Sequence, residues 1–293
     1  MQQKPGAMVG SSLTLLAGSA MCKDNSDCLW LFGGLNLEIN KLVDCLYKFD
    51  NVFCKEQKVE CTLYPGPLRL GQLNERHRQE LLQSQHIIQT GQVPEARADH
   101  HLLYISNTSS ILLLGGRTLS KRNQYTPVEE YKNCSNNAYN LSLQNLEWHK
   151  IETDPETQFH LQRSQFGCCL IFPLVFITGG IRRGQDGHFE ALDIDQLVIY
   201  NIITRTARVK KLQGLVTQHK LLSVNLSKRP NSNGAKTELL LFGGSTLERD
   251  HLTSDNLKKS TNYFFIMPDE DKIQQFDLQG SYAAKAAISG RVL

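Results

Sequence analysis

The side chains in this sequence with the most chemical potential are eight cysteines, nine histidines and a few close-set carboxylates. The cysteines are Cys22, Cys28, Cys45, Cys54, Cys61, Cys134, Cys168 and Cys169. No two stand at the Cys-x-x-Cys spacing that wraps a tetrahedral zinc ion. Cys168 and Cys169 are adjacent in an apolar run, and on a strand they point to opposite faces, which disfavours a bond between them. The set reads as buried thiols in a reducing compartment. His100 and His101 are adjacent too and diverge on a strand, so a shared metal is not expected, and Asp99 beside them reads as a turn residue. Asp193 and Asp195 share one face of a strand or loop, a spacing that permits acid–base work. Turn-forming carboxylates in a solvated loop account for that run better. The sequence holds no Gly-x-Ser-x-Gly, no phosphate-binding Gly-x-x-x-x-Gly-Lys-Ser/Thr, no His-Glu-x-x-His and no Gly-x-Gly-x-x-Gly after a strand. A copper enzyme would need a Tyr/His cluster, which no spacing here places. The inventory points away from an enzyme with a resident metal or cofactor and towards a protein that acts by binding.

The elements that would present such a binding surface repeat along the chain. Apolar runs ending in a glycine pair occur at Cys28–Gly34, Ile111–Gly116, Leu174–Gly180 and Leu239–Gly244. The pairs are Gly33 and Gly34, Gly115 and Gly116, Gly179 and Gly180, and Gly243 and Gly244, at spacings of 82, 64 and 64 residues. Five- or six-residue apolar runs bounded by glycine are too short for helices and fit buried strands. The pair lets the chain leave a crowded strand through backbone angles that other residues resist. A recurring period of this size marks a repeat fold.

Each copy has a strand before it (His101–Ile105, Gly167–Phe172, Leu221–Asn225) and two after it. The later ones are Ala138–Gln144 with Glu147–Ile151, Gln196–Tyr200 with Ala207–Leu212, and Asn262–Ile266 with Lys272–Phe276. The first unit reads as Leu13–Ala17, Cys28–Phe32, Asp44–Phe49 and Val59–Leu63. A unit of four strands with glycines closing the second is a Kelch-type blade. The expected fold is therefore all-β, a six-bladed Kelch-type β-propeller over 1–293. Its blades fall near 11–66, 67–96, 97–153, 164–213 and 219–279, with 280–293 opening an incomplete last one. The second blade is abridged: between Tyr64 and Val93 there is no glycine pair, only Glu80–Gln89 as a strand or helix candidate. Ring closure protects sheet edges, so the full protein is expected to continue past Leu293.

A net charge of +3, from 32 Lys and Arg against 29 Asp and Glu, does not make the whole surface a nucleic-acid binder. Cations do gather after the glycine pairs: Arg117, Lys121 and Arg122 follow one, Arg182 and Arg183 the next. These loops leave equivalent strands in one direction and so share a rim. Lys210, Lys211, Lys228 and Arg229 add to them. Singly, each is ordinary loop charge; as a set they suit acidic protein or phosphate. Tyr125 and Tyr131, in the long loop 118–137, supply aromatic contact area. Met8–Ala20 is too short in its apolar centre for a signal peptide and reads as the first strand. Sequons at Asn107, Asn133, Asn140 and Asn225 carry little weight in Asn/Ser-rich loops. No stretch is long enough to span a membrane.

Val93-Pro-Glu-Ala-Arg97, the strand to Ile105, Leu112-Leu-Leu-Gly-Gly-Arg117 and the long loop to Cys134 together resemble the second recombination-activating proteins. These are the non-catalytic Kelch subunits of the V(D)J recombinase. The resemblance continues through Phe159-His-Leu161 and Val175–Gly180, and the spacing agrees as far as Pro67-Leu-Arg69. It stops at the propeller: the acidic hinge and the zinc finger of the vertebrate members have no counterpart here. In that respect the chain is most similar to versions encoded by invertebrate transposons, which lack the finger.

The resemblance implies a nuclear accessory subunit that docks on a catalytic transposase subunit resembling the first recombination-activating protein, in a heterotetramer. The divalent metal would reside in that partner, and DNA would be met mainly through it, at terminal inverted repeats. Partner contact would fall on Arg97, Arg117, Lys121, Arg122, Tyr125 and Tyr131, with Arg97 alternatively pairing inside its blade. Arg182, Arg183, Lys210 and Lys211 would face nucleic acid. The competing reading is a Kelch adaptor, such as a ubiquitin-ligase substrate receptor or scaffold. A secreted propeller enzyme or lectin is a third.

Overall fold

A strand such as Ser110–Leu114 is buried at every position, so it can exist only with cover on both faces. The computed structural model supplies that cover by stacking antiparallel sheets. It describes residues 16–38, 40–53, 59–66, 89–119, 131–184, 189–213, 221–222, 225–228, 238–243, 245–247, 257–259 and 263–276. The described residues are predominantly β-strand with a single α-helix. No helix among them is long and apolar enough to cross a membrane. The chain divides into two compact units, Met1–Ser164 and Gln165–Leu293.

The first unit holds two large sheets, both ordered as simple antiparallel meanders. Sheet 1 comprises Ala20–Lys23, Leu29–Phe32, Leu46–Asp50 and Glu60–Tyr64. Sheet 2 comprises His101–Ile105, Ser110–Leu114, Ala138–Ser142 and Glu147–Ile151. Its outer strand is covered in parallel by Thr90–Gly91. One core joins the two sheets: Trp30, Phe32 and Leu46 from the first meet Leu102, Ile111 and Trp148 from the second. The Phe32 and Trp148 rings lie 5.3 Å apart. Trp148 is fully buried, and its Nε1 donates to Gln89 Oε1 at 2.8 Å, so its one polar atom is satisfied. The helix α1, Pro155–Leu161, starts at an Asp154 cap whose carboxylate accepts from the Thr157 N–H at 2.8 Å.

The second unit repeats the plan. Sheet 3 comprises Gly167–Ile171, Leu174–Thr178, Gln196–Asn201 and Thr206–Lys211. Sheet 4 comprises Asn225–Lys228, Leu239–Phe242, Tyr263–Met267 and Lys272–Phe276. Cys169, Phe176, Leu197 and Ile199 pack against Leu226, Leu239, Leu241 and Phe264 to form its core.

Two strand assignments shift. Sheet 1 begins at Ala20–Lys23, not at Leu13–Ala17, and sheet 4 at Asn225–Lys228, not at Leu221–Asn225. The displaced residues belong to short side sheets instead. Leu16–Ala17 pairs with Leu35–Asn36 just past its glycine pair, and Leu221–Leu222 with Ser245–Leu247. Arg97–Ala98 pairs with Arg117–Leu119 in the same way. Such two-residue segments carry no periodicity to read. Of the Glu80–Gln89 candidate, residues 80–88 lie outside the described residues, as do Gly244 and Gly280–Leu293.

Candidate functional site

The glycine-pair corners are the points at which the sequence concentrates its cations, and their geometry is set by the backbone. Every described glycine of the four pairs has a positive φ, from 64° at Gly179 to 101° at Gly34. The second glycine of each of the first three pairs is a junction. Its carbonyl accepts from the lead-in to the third strand: Gly34 from Val43 N–H at 3.0 Å, Gly116 from Ser135 at 2.8 Å, Gly180 from Leu192 at 2.8 Å. In the first unit its N–H reaches forward, from Gly34 to the Arg97 carbonyl at 2.7 Å and from Gly116 to the Arg163 carbonyl at 2.9 Å.

Arg97 is wholly buried, so it presents no surface to a partner. Its Nη1 donates to the Gly115 carbonyl at 2.9 Å and its Nε to the Glu95 carbonyl at 3.1 Å. The guanidinium lies over the Tyr139 ring at 5.2 Å. Burial lowers its pKa to about 10, which leaves it charged at neutral pH. Of its two expected roles, the geometry gives it the internal one: a cation closing carbonyl ends that no strand partner reaches. Arg117 pairs with Asp99, its Nε donating to Oδ2 at 2.8 Å. Asp99 is a turn residue, with φ at +57° and its N–H on the Gly18 carbonyl at 2.6 Å. His100 is buried with its ring edge against Phe32. Burial first, then the charges of Arg97 and His101, hold its pKa well below the ordinary histidine value.

One arginine of this set carries no motif that announces it. Arg163 is 5 % exposed and donates from Nε to the His160 carbonyl at 2.9 Å. It stands to Gly116 as Arg97 stands to Gly34. The available signal was its place shortly before the third glycine pair, as Arg97 stands before the second.

The remaining predicted residues do not converge. Lys121, Arg122 and Tyr125 lie outside the described residues. Tyr131 begins the strand Tyr131–Cys134, paired with Arg117–Leu119. In the second unit, Arg182 pairs with Glu190 across the hairpin of Ile181–Arg183 and Phe189–Ala191, and Arg183 is exposed. Lys210 pairs with Asp271 and donates to the Pro268 carbonyl, and Lys211 is exposed. Asp193 and Asp195 form the bend into sheet 3: their carbonyls accept from Gln196 at 3.4 Å and Leu212 at 2.8 Å. Burial, and next the charge of Asp193, raise the Asp195 pKa, with Lys211 opposing. Burial, and then Asp24, push the Cys22 thiol up to about 12, so it stays protonated. Among the described residues no three His, Cys, Asp or Glu side chains gather to hold a metal ion. No protein-family model matches the chain, and no curated protein matches it.

Proposed function

We propose that this chain is the non-catalytic Kelch subunit of a recombination-activating-type transposase. In this reading its fold is a Kelch-type β-propeller, with sheets 1 and 2, which share one core, as neighbouring blades. Four sheets of one strand order, with glycine pairs at one place in each, support the propeller. The observation that carries the functional reading is the corner itself. Val93–Arg97 and Gly115–Arg117 are separate in sequence, and together they carry the resemblance to the second recombination-activating proteins. Arg97 binds Glu95 and Gly115 directly, and Arg117 binds the Asp99 turn beside it. The residues that carry the resemblance thus meet at one corner.

The subunit acts by docking on the catalytic partner in the nucleus, with the divalent metal and the DNA held mainly there. With Arg97 and Arg117 committed internally, the partner contact falls on Lys121, Arg122 and Tyr125 of the long loop and on Tyr131, which opens the strand after it, and DNA contact on exposed Arg183 and Lys211. Co-expression with a catalytic subunit resembling the first recombination-activating protein tests the docking. The wild-type chain co-elutes, and a Lys121→Glu/Arg122→Glu variant does so at least about tenfold more weakly. Failure of the wild type to co-elute would return the chain to the Kelch-adaptor class.

A further inference from the structure

Sheet 3 ends in two neighbouring turns. The Phe172-Pro173 turn joins its first two strands, and the turn at 202–205 joins the last two. They are tied by the Ile202 N–H on the Pro173 carbonyl at 3.1 Å. Phe172 is 43 % exposed and Ile203 65 % exposed, so both turns hold apolar surface in water. Beside them a half-open groove of about 310 Å³ is floored by Leu174 and Ile199 and walled by Thr204, Thr206 and Arg208. Those residues share one face because Leu174 pairs with Asn201, Asn201 with Thr206, and Ile199 with Arg208. The volume sits at the low end for ligand sites, enough for one or two side chains.

Charge decides what fits. Arg205 is the turn residue between the two threonines, and Arg208 lines the groove; both are exposed. Neither side chain meets a carboxylate among the described residues, unlike Arg117, Arg182 and Lys210. The fork of donors on the Arg208 guanidinium, beside Leu174 and Ile199, matches a carboxylate next to an aliphatic side chain. A nucleic-acid backbone would use the cation and leave Phe172 and Ile203 in water.

We infer that the turn end of sheet 3 is a docking groove for an acidic peptide segment that carries an apolar side chain. This goes beyond the accessory-subunit reading and does not depend on it. The test is fluorescence anisotropy of the whole chain with a labelled seven-residue peptide in which Asp and Glu flank a central Leu. Saturable binding is expected. It should weaken about tenfold or more when the Leu is replaced by Ser, when the acids are replaced by their amides, or in an Arg208→Glu chain. Lys272→Glu, at a position that does not line the groove, should leave it within about twofold, and circular dichroism confirms that each variant folds. Absence of saturable binding, equal binding of the amide peptide, or equal loss in the Lys272→Glu chain overturns the inference. So does a DNA oligonucleotide that binds as tightly through the same arginine.

Discussion

The corner at Gly115–Arg117 and the turn end of sheet 3 are both rich in arginine, and they use it in opposite ways. At the corner, Arg97 and Arg163 are buried on carbonyls and Arg117 is held by Asp99. At the turn end, Arg205 and Arg208 stand exposed, and Arg208 lines a groove. The difference lies in the backbone. A glycine pair turns the chain so sharply that carbonyls are left without strand partners, and a long cation is the side chain that can reach several of them. A hairpin turn satisfies its own backbone, as the Arg205 N–H does on the Asn201 carbonyl at 2.8 Å, and leaves its arginines available. Arginines at the glycine corner thus serve the architecture, and those at the turn end serve the surface.

Removing the buried cation should break this contrast most visibly. Arg97→Ala leaves two backbone carbonyls unserved and should cost about 3–5 kcal/mol in chemical denaturation, against less than about 0.5 kcal/mol for Arg208→Ala. Equal losses would erase the distinction. The glycines sharpen it next. A Cβ at Gly33 would sit 2.6 Å from the Arg97 carbonyl oxygen at a φ of +65°, so Gly33→Ala should cost about 2–4 kcal/mol. At Gly243 the nearest atom is 3.7 Å away, and only the left-handed backbone opposes alanine, for about 1–2 kcal/mol. Thermal midpoints of the two variants compare them directly.

A smaller effect comes from pH. His100 is neutral when folded because its pKa is depressed, whereas the unfolded chain takes up its proton below about pH 6.5. Its contribution is therefore complete above that pH and declines as the solution is acidified, by at most about 1.4 kcal/mol per pH unit. His100→Phe should flatten the slope between pH 6.5 and 5; an unchanged slope would place the titration elsewhere.

The strand plan was largely legible because long apolar runs and glycine pairs are local signals. Leu174–Thr178 and Leu239–Phe242 sit where the sequence puts them, since two-sided burial demands an unbroken apolar run. The starts of sheets 1 and 4 were misplaced because Leu16–Ala17 and Leu221–Leu222 owe their conformation to partners elsewhere in the chain. For the site, sequence could name Arg97 and Arg117 but not which way they face, because Asp99 and the Gly115 carbonyl are brought to them only by folding. Arg163, Arg205 and Arg208 escaped notice for the same reason. A buried carbonyl, or a missing carboxylate, is a property of the neighbours.

The central claim is that this chain works by raising the activity of a catalytic partner. It is tested most directly by cleavage of DNA bearing terminal inverted repeats, with a catalytic subunit resembling the first recombination-activating protein, in the presence and absence of the chain. The account predicts that cleavage rises at least tenfold on addition of the chain, and that a Lys121→Glu/Arg122→Glu chain restores little of it. Cleavage at the same rate with and without a folded chain would contradict it.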